Sequence, residues 1–130
     1  MKILVIEDNP VNMKLITSIL KKFGYEVYQA EEAESGIAIA KKELPSLIFM
    51  DIQLPKMDGL EATKLLKSDE GTRNIKIVAL TAFAMKDDKE RALQAGCDGY
   101  ISKPIRYKEL LDKINSLFKE SNESSHGSDE

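Results

Sequence analysis

The sequence has a single cysteine, a single histidine and no apolar run near the roughly 18 residues of a membrane span. A lone Cys97 cannot close an internal disulfide, and with His126 the only histidine, set in a polar tail, a Cys/His zinc site cannot be assembled. Lacking a long apolar run, the chain has no expected membrane helix, and the four apolar residues after Met1-Lys2 are too few for a secretory signal. A soluble protein of the reducing cytoplasm is expected. Basic residues come only in scattered pairs such as Lys21-Lys22 and Lys41-Lys42, and 19 of them face 22 acids for a net charge of −3, which leaves no basic face for nucleic acid. A chain of 130 residues has room for one domain and none for a separate output domain. With 42% apolar residues it can build a core and is too hydrophobic for a disordered chain. Met1 stands immediately before the first strand, which leads us to expect a complete small protein.

Short apolar runs are what the chain does have. Ile3-Leu4-Val5-Ile6, Leu47-Ile48-Phe49-Met50 and Ile77-Val78-Ala79-Leu80 are each bounded by polar or turn residues, the pattern of parallel strands covered on both faces. Glu26–Ala30 and Gly99–Ser102 give weaker strand signals and belong at the sheet edges. Between the strands, Val11, Leu15 and Ile19 with Ile16, Leu20 and Phe23 recur at helical spacing, as do Ala33, Ile37, Ala40 and Leu44. Further helices are expected over Leu60–Ser68, Lys86–Ala95 and Tyr107–Lys119. Asn9-Pro10 reads as an N-cap followed by a first-turn proline. Five β-α units wound with right-handed crossovers make a doubly wound α/β fold, a three-layer sandwich with a five-stranded parallel sheet. Ser121–Glu130 has no apolar residue to offset its ordering entropy, so disorder is expected there.

Ligands of an open parallel sheet bind beyond the carboxyl ends of its strands. Those ends carry Glu7 and Asp8 after the first strand, Asp51 after the third, Thr81 after the fourth, and Lys103-Pro104 after the fifth. At an effective dielectric near 20, two like charges ~4 Å apart repel by about 4 kcal/mol, so three carboxylates in one pocket need a cation. An all-oxygen donor set favours a hard divalent ion, Mg²⁺ with Mn²⁺ as a substitute, ligated directly by Asp8 and Asp51. Asp51 ends an apolar strand where no helix begins, and it is the expected nucleophile of an aspartyl-phosphate. Mg²⁺ and the Lys103 ammonium would neutralise the phosphoryl oxygens, while the Thr81 hydroxyl and the Ala82 backbone N–H would donate to them. Asp58-Gly59 reads as a turn, and Met13, Met50, Met57, Met85 and Cys97 as packing residues.

These motifs, Glu7-Asp8, Asp51 in MDIQLPKMDG, Thr81-Ala82 in ALTA and Lys103-Pro104 in YISKP, resemble those of bacterial response regulator receiver domains, similar to the stand-alone chemotaxis and cell-division regulators. The resemblance covers residues 1–119 and leaves 120–130 as a polar tail. It implies a CheY-like, flavodoxin-like strand order of 2-1-3-4-5. It implies that the Gln53 backbone carbonyl completes the metal ligands, that Glu7 acts through a metal-bound water, and that the Lys103-Pro104 peptide is cis. It also implies a switch in which Thr81 moves toward the phosphoryl group and Tyr100 turns inward, remodelling the face of the fourth helix, fifth strand and fifth helix for a downstream partner. The implied donor is a phosphohistidine of a sensor histidine kinase or histidine phosphotransfer domain, contacting the first helix and the loop after Lys103. In that role the protein is no enzyme beyond its own phosphorylation and dephosphorylation. Gln53 and Phe83 would flank the path of attacking water, and the bulk of Phe83 predicts a slowly lost phosphoryl group.

Three other readings compete. The stretches EDNPVNMKL and MDIQLPKMDGLEATK also resemble hybrid-kinase receivers, so an excised hybrid receiver is one. A Mg²⁺-dependent phosphatase with an aspartyl nucleophile is another, although the Asp-x-Asp pair of that resemblance is absent. A flavin mononucleotide carrier would need a phosphate-cradling loop, and Glu7-Asp8-Asn9-Pro10 is acidic and lacks a donor at Pro10.

Overall fold

The structure is a computed structural model that describes residues 1–82 and 86–123, with only the backbone described at 86 and 119–123. Among the described residues, five strands alternate with five helices. They run β1 (Lys2–Ile6), α1 (Pro10–Lys22), β2 (Glu26–Ala30), α2 (Ala33–Glu43), β3 (Leu47–Asp51), α3 (Gly59–Ser68), β4 (Lys76–Thr81), α4 (Lys86–Ala95), β5 (Gly99–Ser102) and α5 (Tyr107–Glu123). All strand pairs are parallel, in the order β2-β1-β3-β4-β5, so the two weakly patterned strands are the edges.

The pleat of each central strand divides its side chains between two apolar layers. Leu4, Ile6, Ile48, Met50, Ile77 and Ala79 pack toward one face, with Ala40 of α2, Leu66 of α3 and Ala92 of α4. Ile3, Val5, Leu47, Phe49, Val78 and Leu80 pack toward the other, with Ile16 and Leu20 of α1 and Leu110 and Ile114 of α5. Being covered on both faces is why these strands read as unbroken apolar runs.

Helix ends follow local chemistry. Asn9 caps α1 as its side chain accepts from Val11 N at 2.9 Å and Asn12 N at 3.0 Å, with Pro10 in the first turn. Of the apolar residues on α1, Met13, Ile16 and Leu20 are buried, whereas Val11 is 74% and Leu15 40% exposed, and the C-cap Phe23 is exposed too, so the helix carries a second, outward apolar stripe. The repeat that ran to Leu44 stops at Glu43. Pro45 disfavours right-handed helix at the residue before it, and Leu44 caps the helix at φ 49°, exposed. In α5, Phe118 leaves helical geometry with φ −116°, and helix continues to Glu123. Residues 120–123, expected in the disordered tail, are therefore helical. Residues 124–130, with His126, and Phe83 and Met85 lie outside the described residues. Among the described residues, no helix is long and apolar enough to cross a membrane.

Candidate functional site

The strand order reverses between β1 and β3, and the chain emerging from their carboxyl ends brings the acids together. Asp51 is the last residue of β3 and is 2% exposed; Glu7 follows β1 and is fully buried; Asp8, beside it, is exposed. Carboxylate oxygens of Glu7, Asp8 and Asp51 all lie within 4.8 Å of one another.

Among the described residues, one cation reaches this cluster, that of Lys103. Lys103 Nζ donates to Asp51 Oδ2 at 3.1 Å and stands 3.2 Å from Glu7 Oε1. The Lys103-Pro104 peptide after β5 is cis, and Lys103 N donates to Thr81 O at 2.7 Å, which fixes the start of this loop against β4. Backbone donors satisfy other oxygens: Gln53 N donates to Asp51 Oδ1 at 2.9 Å, and Asn9 N to Glu7 Oε2 at 3.1 Å. Glu7 Oε1 is buried without a hydrogen bond of good geometry, despite the nearby ammonium.

Charge in the pocket is out of balance, and Glu7 registers it. Burial, then a hydrogen bond with Asp51, pushes the Glu7 carboxyl up to about 7, against the pull of Asn9 N–H and Lys103. Burial works against the Lys103 charge, but Asp51 and then Glu7 outweigh it, so its pKa rises. A buried carboxyl raised this far beside two other acids marks a site short of positive charge.

The remaining predicted residues fall around the same mouth. Thr81 closes β4, 2% exposed and paired in register with Ser102, and Ala82 follows it exposed. Gln53 is within the β3–α3 loop. Tyr100 stands apart, on β5 opposite Ala79, half-buried against the layer that holds α4. Asp58 is not a further site acid: its side chain caps α3, accepting from Glu61 N at 2.8 Å.

Sequence reasoning took Gly59 for part of a turn and missed its closeness to the site. A Cβ at Gly59 would sit 2.3 Å from Asp51 O and 2.7 Å from Ile52 Cα, so the helix start and the Asp51 backbone fit together only with glycine there. Gly59 N donates to Ile52 O at 3.1 Å across the same contact. The Asn9 and Gln53 N–H donors were also missed as donors, since every residue but proline carries one and only the fold aims it.

The family model for the response regulator receiver domain matches residues 3–115. The polar-differentiation response regulator DivK of Brucella ovis is 46% identical over 114 residues, spanning 88% of this chain and 93% of that protein. Among solved structures, the receiver domain of the sensor histidine kinase PA1611 of Pseudomonas aeruginosa, which has a magnesium ion coordinated in its active site cleft, is similar with TM-score 0.82 and 36% identity over 88% of this chain and 94% of that one. A chain from the co-crystal structure of the Saccharomyces cerevisiae histidine phosphotransfer signaling protein Ypd1 and the receiver domain of its downstream response regulator Ssk1 is similar with TM-score 0.84 and 34% identity, over 88% of this chain and 86% of that one.

Proposed function

The chain belongs to the response regulator receiver domain family of two-component systems, and from that premise we propose that Asp51 accepts a phosphoryl group from a phosphohistidine in a Mg²⁺-dependent reaction. The observation that carries this reading is the excess of negative charge: among the described residues three carboxylates, two of them buried, converge while one ammonium reaches the buried two. Mg²⁺ fits the all-oxygen set of Asp8, Asp51 and the Gln53 carbonyl, with Glu7 acting through water, and when bound it neutralises phosphoryl oxygens; Mn²⁺ suits the same donors.

The protein's own groups supply position and charge. An Asp51 oxygen attacks phosphorus, the new O–P bond forms as the donor's N–P bond breaks, and the electron pair returns to the imidazole nitrogen. Lys103 already bonds Asp51 and offers its charge to the transferred group, and the Thr81 hydroxyl and Ala82 N–H donate to the remaining oxygens. Thr81 and Tyr100 then relay the change to the α4-β5-α5 face and to a downstream protein.

The donor's surface is the outward stripe of α1. With the loop after Lys103 it forms a groove of about 720 Å³, lined by Leu15, Ile19, Phe23, Ile105 and Tyr107 and edged by Lys22, Arg106 and Lys108. A helical histidine kinase or phosphotransfer domain seated there, in the cytoplasm, would present its phosphohistidine to Asp51. The Ypd1–Ssk1 receiver co-crystal is a precedent for such pairing in a relative. The protein is a switch that turns over only its own phosphoryl group.

Intact-mass measurement after incubation with acetyl phosphate and Mg²⁺ tests this. One phosphoryl group is expected on the parent, and none on Asp51→Asn or after chelation of the metal. Phosphorylation undiminished in Asp51→Asn would overturn the assignment, and many acetyl phosphate molecules consumed per protein would favour a phosphatase.

A further inference from the structure

Tyr100 has two ammonium neighbours from two different helices. Lys89 Nζ of α4 stands over its ring 5.0 Å from the centroid, and Lys113 Nζ of α5 stands 5.5 Å away. Among the described residues neither lysine has a carboxylate within ion-pair distance. Asp88, next to Lys89 in sequence, is 3.8 Å from Arg91 instead. The path of Lys113 is shaped by β5: a Cβ at Gly99 would lie 3.6 Å from its Cδ and 3.7 Å from its Cε, so the long stem lies along the bare strand before reaching the ring.

An aromatic face attracts a cation most when the cation is partly withdrawn from water, and both lysines are half-buried. Without competing carboxylates, each ammonium spends its attraction on the ring. We propose that Lys89 and Lys113 are positioning residues that bracket Tyr100 in its present place and thereby set the equilibrium between this state and the one with the ring turned inward. The inference rests on the reading of Tyr100 as the switch. On that reading phosphorylation draws the ring out of the bracket, so by reciprocity the bracket weakens the affinity of the site for a phosphoryl group or its analogue.

Lys89→Met and Lys113→Met keep the stems and remove the charges; Lys→Arg at each position keeps the charge. The first readout is the ring signal of Tyr100 in the unphosphorylated full chain, by nuclear magnetic resonance with ring-labelled tyrosine and Tyr100→Phe for assignment. The second is affinity for beryllium trifluoride with Mg²⁺. Each Met variant is expected to shift the population toward the inward ring by about 2- to 5-fold, and the pair by about 5- to 30-fold. Beryllium trifluoride affinity should rise by up to the same factors, with the Arg variants near the parent. An unmoved ring in the double Met variant overturns the bracket, as do Arg variants that behave like Met. A moved ring with unchanged affinity overturns its link to Asp51. The ring signal requires no phosphorylation, so a parent that takes no phosphoryl group at Asp51 fails the functional reading alone.

Discussion

At the amino-terminal end of β4, Lys67 and Asp98 form a closed set of contacts; at the carboxyl ends of β1 and β3, Lys103 meets Glu7 and Asp51 in a set that stays open. Lys67 Nζ donates to Ile75 O at 2.7 Å, Asp98 Oδ2 at 3.1 Å and Arg73 O at 3.3 Å. Asp98 Oδ2 also accepts from Ile77 N at 2.9 Å, while Asp98 N donates to Ile77 O at 2.7 Å. One ammonium meets one carboxylate, and backbone groups take up what is left. This arrangement ties the α3–β4 loop to the start of β5 and asks for no ligand. At the other end an equally placed lysine faces two buried acids with a third at the rim, and Glu7 Oε1 has no good hydrogen bond. The same residue types thus make a structural clasp where charges match and a reactive pocket where they do not.

The sharpest way to break the contrast is to remove the lysine on each side. Lys103→Met is expected to slow phosphorylation by acetyl phosphate by about 10²–10³-fold, the scale of losing one preorganised charge-stabilising donor. Mass spectrometry over time measures it, and a rate near the parent's would show that Lys103 contributes nothing to transfer.

Titration separates the two ends next. Glu7 binds its proton more tightly folded than unfolded, so between its ordinary value of 4.5 and about 7 the folded state holds more protons and stability falls as pH rises. Urea unfolding of the metal-free protein should lose up to about 3 kcal/mol across that window. Excess Mg²⁺ should shrink the loss, because the ion replaces the proton in countering the charge. Glu7→Gln should abolish it, and a slope that survives in Glu7→Gln would assign it to another group.

Lys67→Met gives the smallest effect and the control. It leaves Asp98 with its backbone donor but strips two carbonyls and a carboxylate of a shared partner, and a loss of about 1–3 kcal/mol is expected in urea unfolding. The phosphorylation rate should stay that of the parent. A changed rate would mean that the two ends are coupled through β4.

Much of this was legible beforehand because it is local or periodic. Fully covered strands require apolar runs, and the three central strands have them; edge strands tolerate polar residues, and β2 and β5 are where the pattern weakens. Asn9-Pro10 was readable because capping involves groups two or three residues apart. The outward stripe of α1 was not, since helical spacing shows that residues share a side without saying which side meets the sheet. Leu44 and residues 120–123 were misjudged for a related reason: apolar content was used to place helix ends that backbone geometry decides.

By itself, the sequence determined the order and kind of the elements and which side chains end each strand, because both follow from short-range periodicity and composition. Only the tertiary structure decided that Lys103 spans the gap to Asp51 and Glu7, that Gly59 must be bare against the Asp51 backbone, and that two lysines from separate helices close on Tyr100. Each of these depends on distances between segments far apart in the chain. Such distances are fixed by how the layers pack, and no residue type carries them alone.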